Sequence, residues 1–175
     1  MKALFKIGLI LMCFFQVAFS SNCSAQKFSK YEIKAAYIQN FIRFVQWPEE
    51  KNHLILGVIG ENEFTDVLKL KLINQKVGKN SLKIIHYSEM DESKNCDILY
   101  VAKDESVNCK KVLEQIKDKA ILTIGESQKF FSSGGIINLS EQLNGNYIFQ
   151  INNTDALAKK IIISSKLLTL AAQVK

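Results

Sequence analysis

Residues 54–60 read Leu-Ile-Leu-Gly-Val-Ile-Gly, LILGVIG. The run is apolar without alternation and has the length of a strand, the pattern of a strand covered on both faces. Working outward toward the C-terminus, Phe64, Val67, Leu68 and Leu72 line one side of a helix near 62–73. Leu82, Ile84, Ile85 and Tyr87 mark a strand over 82–87, and a polar connection runs from Glu89 to Asn95. A second continuous apolar run, Ile98–Val101, lies in a strand over 96–102. A helix over 106–117 follows, with Ser106 as its N-cap and Val107, Val112, Leu113 and Ile116 turned inward.

A strand over 120–125 and a short helix over 127–132 come next. Gly134 and Gly135 reopen the backbone for a strand over 136–140, and Asn144-Gly145 signals a tight turn before a strand over 146–151. One closing helix is expected over 154–172, capped by Asn153 or Thr154. Strands alternating with helices demand parallel crossovers and a sheet covered on both faces. The expected architecture is an α/β three-layer sandwich. Its sheet is Rossmann-like and mixed, mostly parallel, with a C-terminal antiparallel hairpin.

On the N-terminal side, Tyr31 to Pro48 reads YEIKAAYIQNFIRFVQWP. Ser29 and Glu32 have capping-box spacing. Ala35, Ile38, Phe41, Ile42 and Val45 recur on one helical face. Pro48 drives Trp47 out of the helical region, so the chain turns there and leaves the indole at a corner. Taken alone, this is an aromatic-rich packing helix.

The order of the segments carries more than any one of them. Lys34-Ala35-Ala36-Tyr37-Ile38, Asn40-Phe41 and Trp47-Pro48 resemble the opening signature of the YfiR-like family of periplasmic repressor proteins. Cys96-Asp97 with its apolar strand resembles the matching family segments, as do Ile121–Glu126 with Phe130, Gly134–Leu139, Tyr147–Asn152 and Ser164–Leu168, all in the same order. Gly57 stands where some relatives carry a cysteine, so a shared disulfide scheme does not transfer.

Residues 1–25 have the build of a signal peptide: Lys2 and Lys6, an apolar run from Ile7 to Phe19, then Cys23-Ser24-Ala25. That run is 13 residues long, short of the roughly 20 that span a bilayer. A retained anchor and a lipid on Cys23 are the alternatives. Cleavage before Gln26 leaves 26–175 as a single α/β domain, large enough to bury a core without staples. Losing Lys2 and Lys6 lowers the basic count from 23 to 21 against 17 acids, a net charge of +4. The lysines are scattered, which argues against a nucleic-acid partner.

Two cysteines remain after cleavage, Cys96 at the start of a strand and Cys109 in the first turn of the next helix. Six strand residues separate those ends by well over the roughly 7 Å that a disulfide spans. The two are expected as separate thiols, with an intermolecular bond through either left open.

No residue pattern points to catalysis. Gly57-Val58-Ile59-Gly60 lacks the dinucleotide fingerprint, and Gly125-Glu126-Ser127-Gln128 lacks the second glycine of a nucleophile elbow. His53 and His86 have no histidine or cysteine at metal-ligand spacing. No catalytic, metal or cofactor residue is assigned, and no cofactor is expected. Tyr37, Phe41, Trp47, Pro48, Gly134 and Gly135 are assigned to the structural motif. The expected closing helix is apolar around most of its girth, which requires deep burial or a covering molecule. With the neighbouring hairpin it offers Ile136, Ile137, Phe149 and Leu168 as a partner surface.

The resemblance implies a non-enzymatic periplasmic regulator. Such a protein binds the periplasmic portion of an inner-membrane signalling protein and represses it. In known relatives the target is a diguanylate cyclase, which ties them to c-di-GMP signalling; a sensor kinase is the other target considered. An outer-membrane or envelope partner and a homodimer are further expected contacts. The alternative is a periplasmic small-ligand-binding protein with its pocket at the sheet's carboxyl edge near Gly60 and Gly125.

Overall fold

The computed structural model describes residues 29–60, 62–72, 76–77, 80–88, 95–102 and 108–175. The signal segment, the 89–94 connection, Ser106 and Val107 lie outside these residues.

The first helix, α1 (Lys30–Arg43), begins with the expected capping box: the Ser29 hydroxyl accepts from the Glu32 N–H, and the Glu32 carboxylate accepts from the Ser29 N–H. It ends four residues short of Trp47 because the chain enters β1 (Val45–Gln46), which pairs antiparallel with β9 (Ile162–Ile163). Then come β2 (His53–Ile59), α2 (Asn62–Leu72), β3 (Lys76–Val77) and β4 (Asn80–His86). They are followed by β5 (Ile98–Val101), α3 (Cys109–Gln115), β6 (Leu122–Gly125) and α4 (Gln128–Ser132). The α3 cap is Asn108, whose side chain accepts from the Lys111 N–H. The hairpin is β7 (Ile137–Glu141) and β8 (Tyr147–Ile151), and the chain closes with α5 (Asn153–Ala158), β9, α6 (Ser165–Leu170) and β10 (Gln173–Val174).

One eight-stranded sheet runs in the order β10-β8-β7-β6-β5-β2-β4-β3. From β4 through β7 every pairing is parallel, while β7–β8 and β3–β4 are antiparallel. The crossover from β2 through α2 to β4 and that from β5 through α3 to β6 step in opposite directions across the sheet. Right-handed crossovers must then place the two helices on opposite faces. The core divides accordingly. Ile38, Phe41, Phe64 and Leu68 of α1 and α2 meet Leu56, Val58, Ile98 and Tyr100, whereas Cys109, Val112 and Phe130 of α3 and α4 meet Ile59, Leu99 and Val101. That period-two division of β2 and β5 makes the three layers, and the α/β architecture is the one expected from the sequence.

The closing helix is not one helix. After α5 the chain turns through Lys160, whose φ is +59°, runs as a short strand at β9, and restarts as α6 with the Ser164 hydroxyl accepting from the Lys166 N–H. The β-branched run Ile161-Ile162-Ile163 favours an extended backbone, and pairing with β1 supplies the bonds that a helix would have made. The apolar surplus is thereby divided. Ile161, Ile163 and Leu167 enter the core, and Leu157, Ile162 and Leu170 remain exposed.

Candidate functional site

Two clusters of charge and hydrogen bonding lie at opposite edges of the sheet. The first surrounds the corner at Trp47 and Pro48. The indole N–H donates to the carbonyl of Asp97 at 3.2 Å. The buried Asp97 carboxylate accepts from the Ile55 N–H at 2.8 Å and from the Lys51 ammonium. The same carbonyl accepts from the Leu122 N–H at 2.9 Å, and the Asp97 N–H donates to Ile55 at 2.9 Å. One residue thus joins the heads of β2, β5 and β6 to the corner after α1. Beside it opens a cavity of about 750 Å3, walled by Trp47, Lys51, His53, Cys96, Asp97 and Lys119.

The setting of Cys96 in that wall disfavours the reactive thiolate. Burial, reinforced by the Asp97 charge, pushes its thiol up to about 12, and only the thiolate attacks. Cys109 lies in the same core as Cys96, and both are buried thiols. An ideal Cβ on Gly57 would stand 3.4 Å from the Cys96 Cβ but only 2.3 Å from the Tyr87 ring. In this chain the tyrosine fills the space that a second cysteine would use.

The second cluster is at the carboxyl edge. Lys34 of α1 and Glu126, which follows β6, form an ion pair with Nζ 2.7 Å from Oε1 and 3.0 Å from Oε2. Their side chains are only 7% and 8% exposed. The ammonium also lies 5.5 Å from the Tyr31 ring centroid and 5.6 Å from that of Phe64, and Phe64 packs on Tyr100 at 4.8 Å. Gly60 and Gly125, where a ligand crevice is expected, are closely packed by described residues. A Cβ on Gly60 would fall 2.7 Å from that of Ala102, and one on Gly125 2.4 Å from the Phe130 ring. His86 closes over the same turn with Nε2 3.1 Å from the Gly60 carbonyl.

Of the residues assigned to the motif, Tyr37, Phe41 and Gly135 pack closely against neighbouring elements. Tyr37 and Phe41 meet Phe149 edge to face, and the Tyr37 hydroxyl donates to the Tyr147 carbonyl at 3.2 Å. Gly134 has φ +100°, and Gly135 lies so near Phe130 that a Cβ would come within 2.1 Å of it. The expected partner surface needs correction. Ile136 and Ile137 are 0% exposed, and Phe149 is buried with its ring against Tyr37 and Phe41 of α1; only Leu168 is half-exposed. Among the described residues the exposed large apolar side chains are Leu70, Leu143, Leu157, Ile162, Leu170 and Val174.

Asp97, Lys34 and Glu126 were not singled out from the sequence. A signal existed for two of them. Lys34 stands one turn before Ile38 on the buried stripe of α1, and Asp97 heads an otherwise apolar strand. A charge in either place needs a partner, because an unpaired buried charge is costly.

No curated protein matches the chain in sequence. A conserved domain protein from Vibrio cholerae O1 biovar El Tor str. N16961 shares the fold, with a TM-score of 0.58 at 16% identity over 85% of this chain and 61% of that one. So does the ABC domain in complex with L-Trp from Streptococcus pneumonia, with a TM-score of 0.56 at 12% identity over 83% of this chain and 60% of that one. At such identities the likeness is one of fold alone, and the chain spans about three fifths of each of those structures. The sequence itself matches the YfiR/HmsC-like family from residue 31 to residue 172, both edge clusters included. This chain belongs to the YfiR/HmsC-like family.

Proposed function

We propose that this chain is exported, loses residues 1–25 and acts in the periplasm as a non-enzymatic regulator. It binds the periplasmic part of an inner-membrane signalling protein and holds it inactive until an envelope partner draws it away. The observation that carries this reading is family membership over residues 31–172. The target is a diguanylate cyclase, with a sensor kinase as the other class to be tested. A repressor of this kind needs only higher affinity for the inactive state of its target than for the active one. Leu157, Ile162, Leu170 and Val174, exposed apolar side chains of the C-terminal stretch, are the candidates for contact with the partner.

Deleting the gene should raise the output of the membrane partner. Leu157→Asp, Ile162→Asp or Leu170→Asp should mimic deletion while circular dichroism stays native, because these side chains are already in water. Unchanged output in the deletion strain, with the partner present, removes that partner. A second reading, small-ligand binding, is favoured by the cavity beside Trp47 at the amino edge. A saturable thermal shift with a metabolite, abolished by Trp47→Ala, would support it.

A further inference from the structure

The strand β10 keeps its place beside β8 by polar contacts. Residues 172–175 are all exposed, and Val174 is the one large apolar side chain among them. The Ala172 N–H donates to the Phe149 carbonyl at 2.8 Å, and the Lys175 N–H to that of Ile151 at 3.0 Å. The Lys175 carbonyl accepts from the N–H groups of Asn153 and Thr154 at 2.7 and 3.1 Å, and the Lys175 ammonium lies 4.3 Å from the Phe131 ring centroid. Side-chain amides mark the register. Asn138 Nδ2 donates to Gln150 Oε1 at 3.0 Å and Gln150 Nε2 donates to Gln173 Oε1 at 2.6 Å, a ladder across β7, β8 and β10. A segment held by exposed hydrogen bonds over little buried apolar surface opens at low cost, apart from the rest of the domain. The strand beneath it is of the opposite kind, since Phe149 and Ile151 of β8 are fixed in the core.

We propose that residues 172–175 are a releasable strap over β8, and that an extended, glutamine-bearing segment of a partner protein takes their place there. The strap itself displays the chemistry of its replacement. It is a parallel strand that sets an amide side chain beside Gln150 and a carbonyl at the Asn153 and Thr154 N–H groups. In an added strand the main-chain bonds supply affinity, and the side chains supply specificity. Strap and partner segment compete for one row of backbone groups, so the apparent affinity for the segment is reduced by the fraction of chains whose strap is open. The inference rests on the contacts of β10 and is independent of the regulatory reading.

Hydrogen exchange of the mature chain should release the Ala172 and Lys175 amides together, about tenfold or more faster than that of Asn152, which donates to the Ile136 carbonyl at 2.8 Å. A fluorescein-labelled peptide with the sequence of residues 169–175 is the probe for the vacated edge. The wild-type chain should bind it weakly and saturably. Gln173→Ala removes the amide bond that holds the strap and should tighten probe binding by about fivefold. Gln150→Cys combined with Gln173→Cys should lock the strap by a disulfide, abolish probe binding, and recover it on reduction. Ala172 and Lys175 amides protected as well as that of Asn152 overturn the proposal. So does a locked chain that binds the probe as the reduced one does, or a Gln173→Ala chain whose probe affinity is unchanged. Dimers of the wild-type chain that vanish on locking would make the strap of a second copy the occupant, and so overturn the partner segment. If the double-cysteine chain fails to fold, hydrogen exchange and Gln173→Ala decide the matter alone.

Discussion

Asp97 and the Lys34–Glu126 pair are charges that the fold has enclosed, and their cost depends on what remains when one group is removed. Asp97→Ala would leave the Ile55 N–H without its carboxylate and release Lys51. Lost bonds to a charged group should lower stability by about 2–3 kcal/mol. Trp47→Phe keeps most of the ring and loses the bond to the Asp97 carbonyl, and should cost about 1 kcal/mol. Urea unfolding of the two variants separates these effects. For the ion pair, Glu126→Leu takes the carboxylate away from the buried Lys34 ammonium and should cost about 3–5 kcal/mol. Combining it with Lys34→Met should recover most of that loss, because two apolar side chains of similar size then fill the same space. A double variant no more stable than Glu126→Leu would show that the pair is not the origin of the cost.

At the scale of elements, short helices depend on their caps. Between β9 and β10, α6 has six residues, and the Ser164 hydroxyl accepts from the Lys166 N–H at its start. Ser164→Ala should destabilise by about 1 kcal/mol, and hydrogen exchange of the α6 amides should quicken relative to β8. At α1 the cap is also a titrating device. Hydrogen bonding to Lys71, then to the Ser29 N–H, holds the Glu32 carboxyl below its ordinary value of 4.5. A carboxyl depressed in the folded state adds stability that is fully present above its unfolded value and is lost as pH falls through its folded one. Glu32→Gln should therefore flatten the acid limb of the stability curve below about pH 4.5 and leave its shape near pH 7 unchanged. An acid limb equally steep in the variant would assign the loss to other carboxylates.

For the whole molecule, local signals determined much of the order of elements. The capping box at Ser29, the doubly buried runs at 54–59 and 98–101, and the Asn144-Gly145 turn each depend on a few neighbouring residues, and each element stands where those residues place it. The family signature was legible for the same reason, as an ordered set of short segments. Contacts distant in sequence were not. Residues 154–172 have helical spacing, yet pairing of Ile163 with Val45 across more than a hundred residues breaks them into two helices and a strand. Tertiary packing also decides which apolar side chains are surface: Ile136, Ile137 and Phe149 go inward, and Leu157, Ile162 and Leu170 stay out. Sequence alone determined the α/β class and the family, because periodicity and motif order are properties of the chain read along its length. Only tertiary structure decided where the enclosed charges find partners and which apolar side chains reach the surface, because a charge or an apolar group is satisfied by groups brought near it through folding.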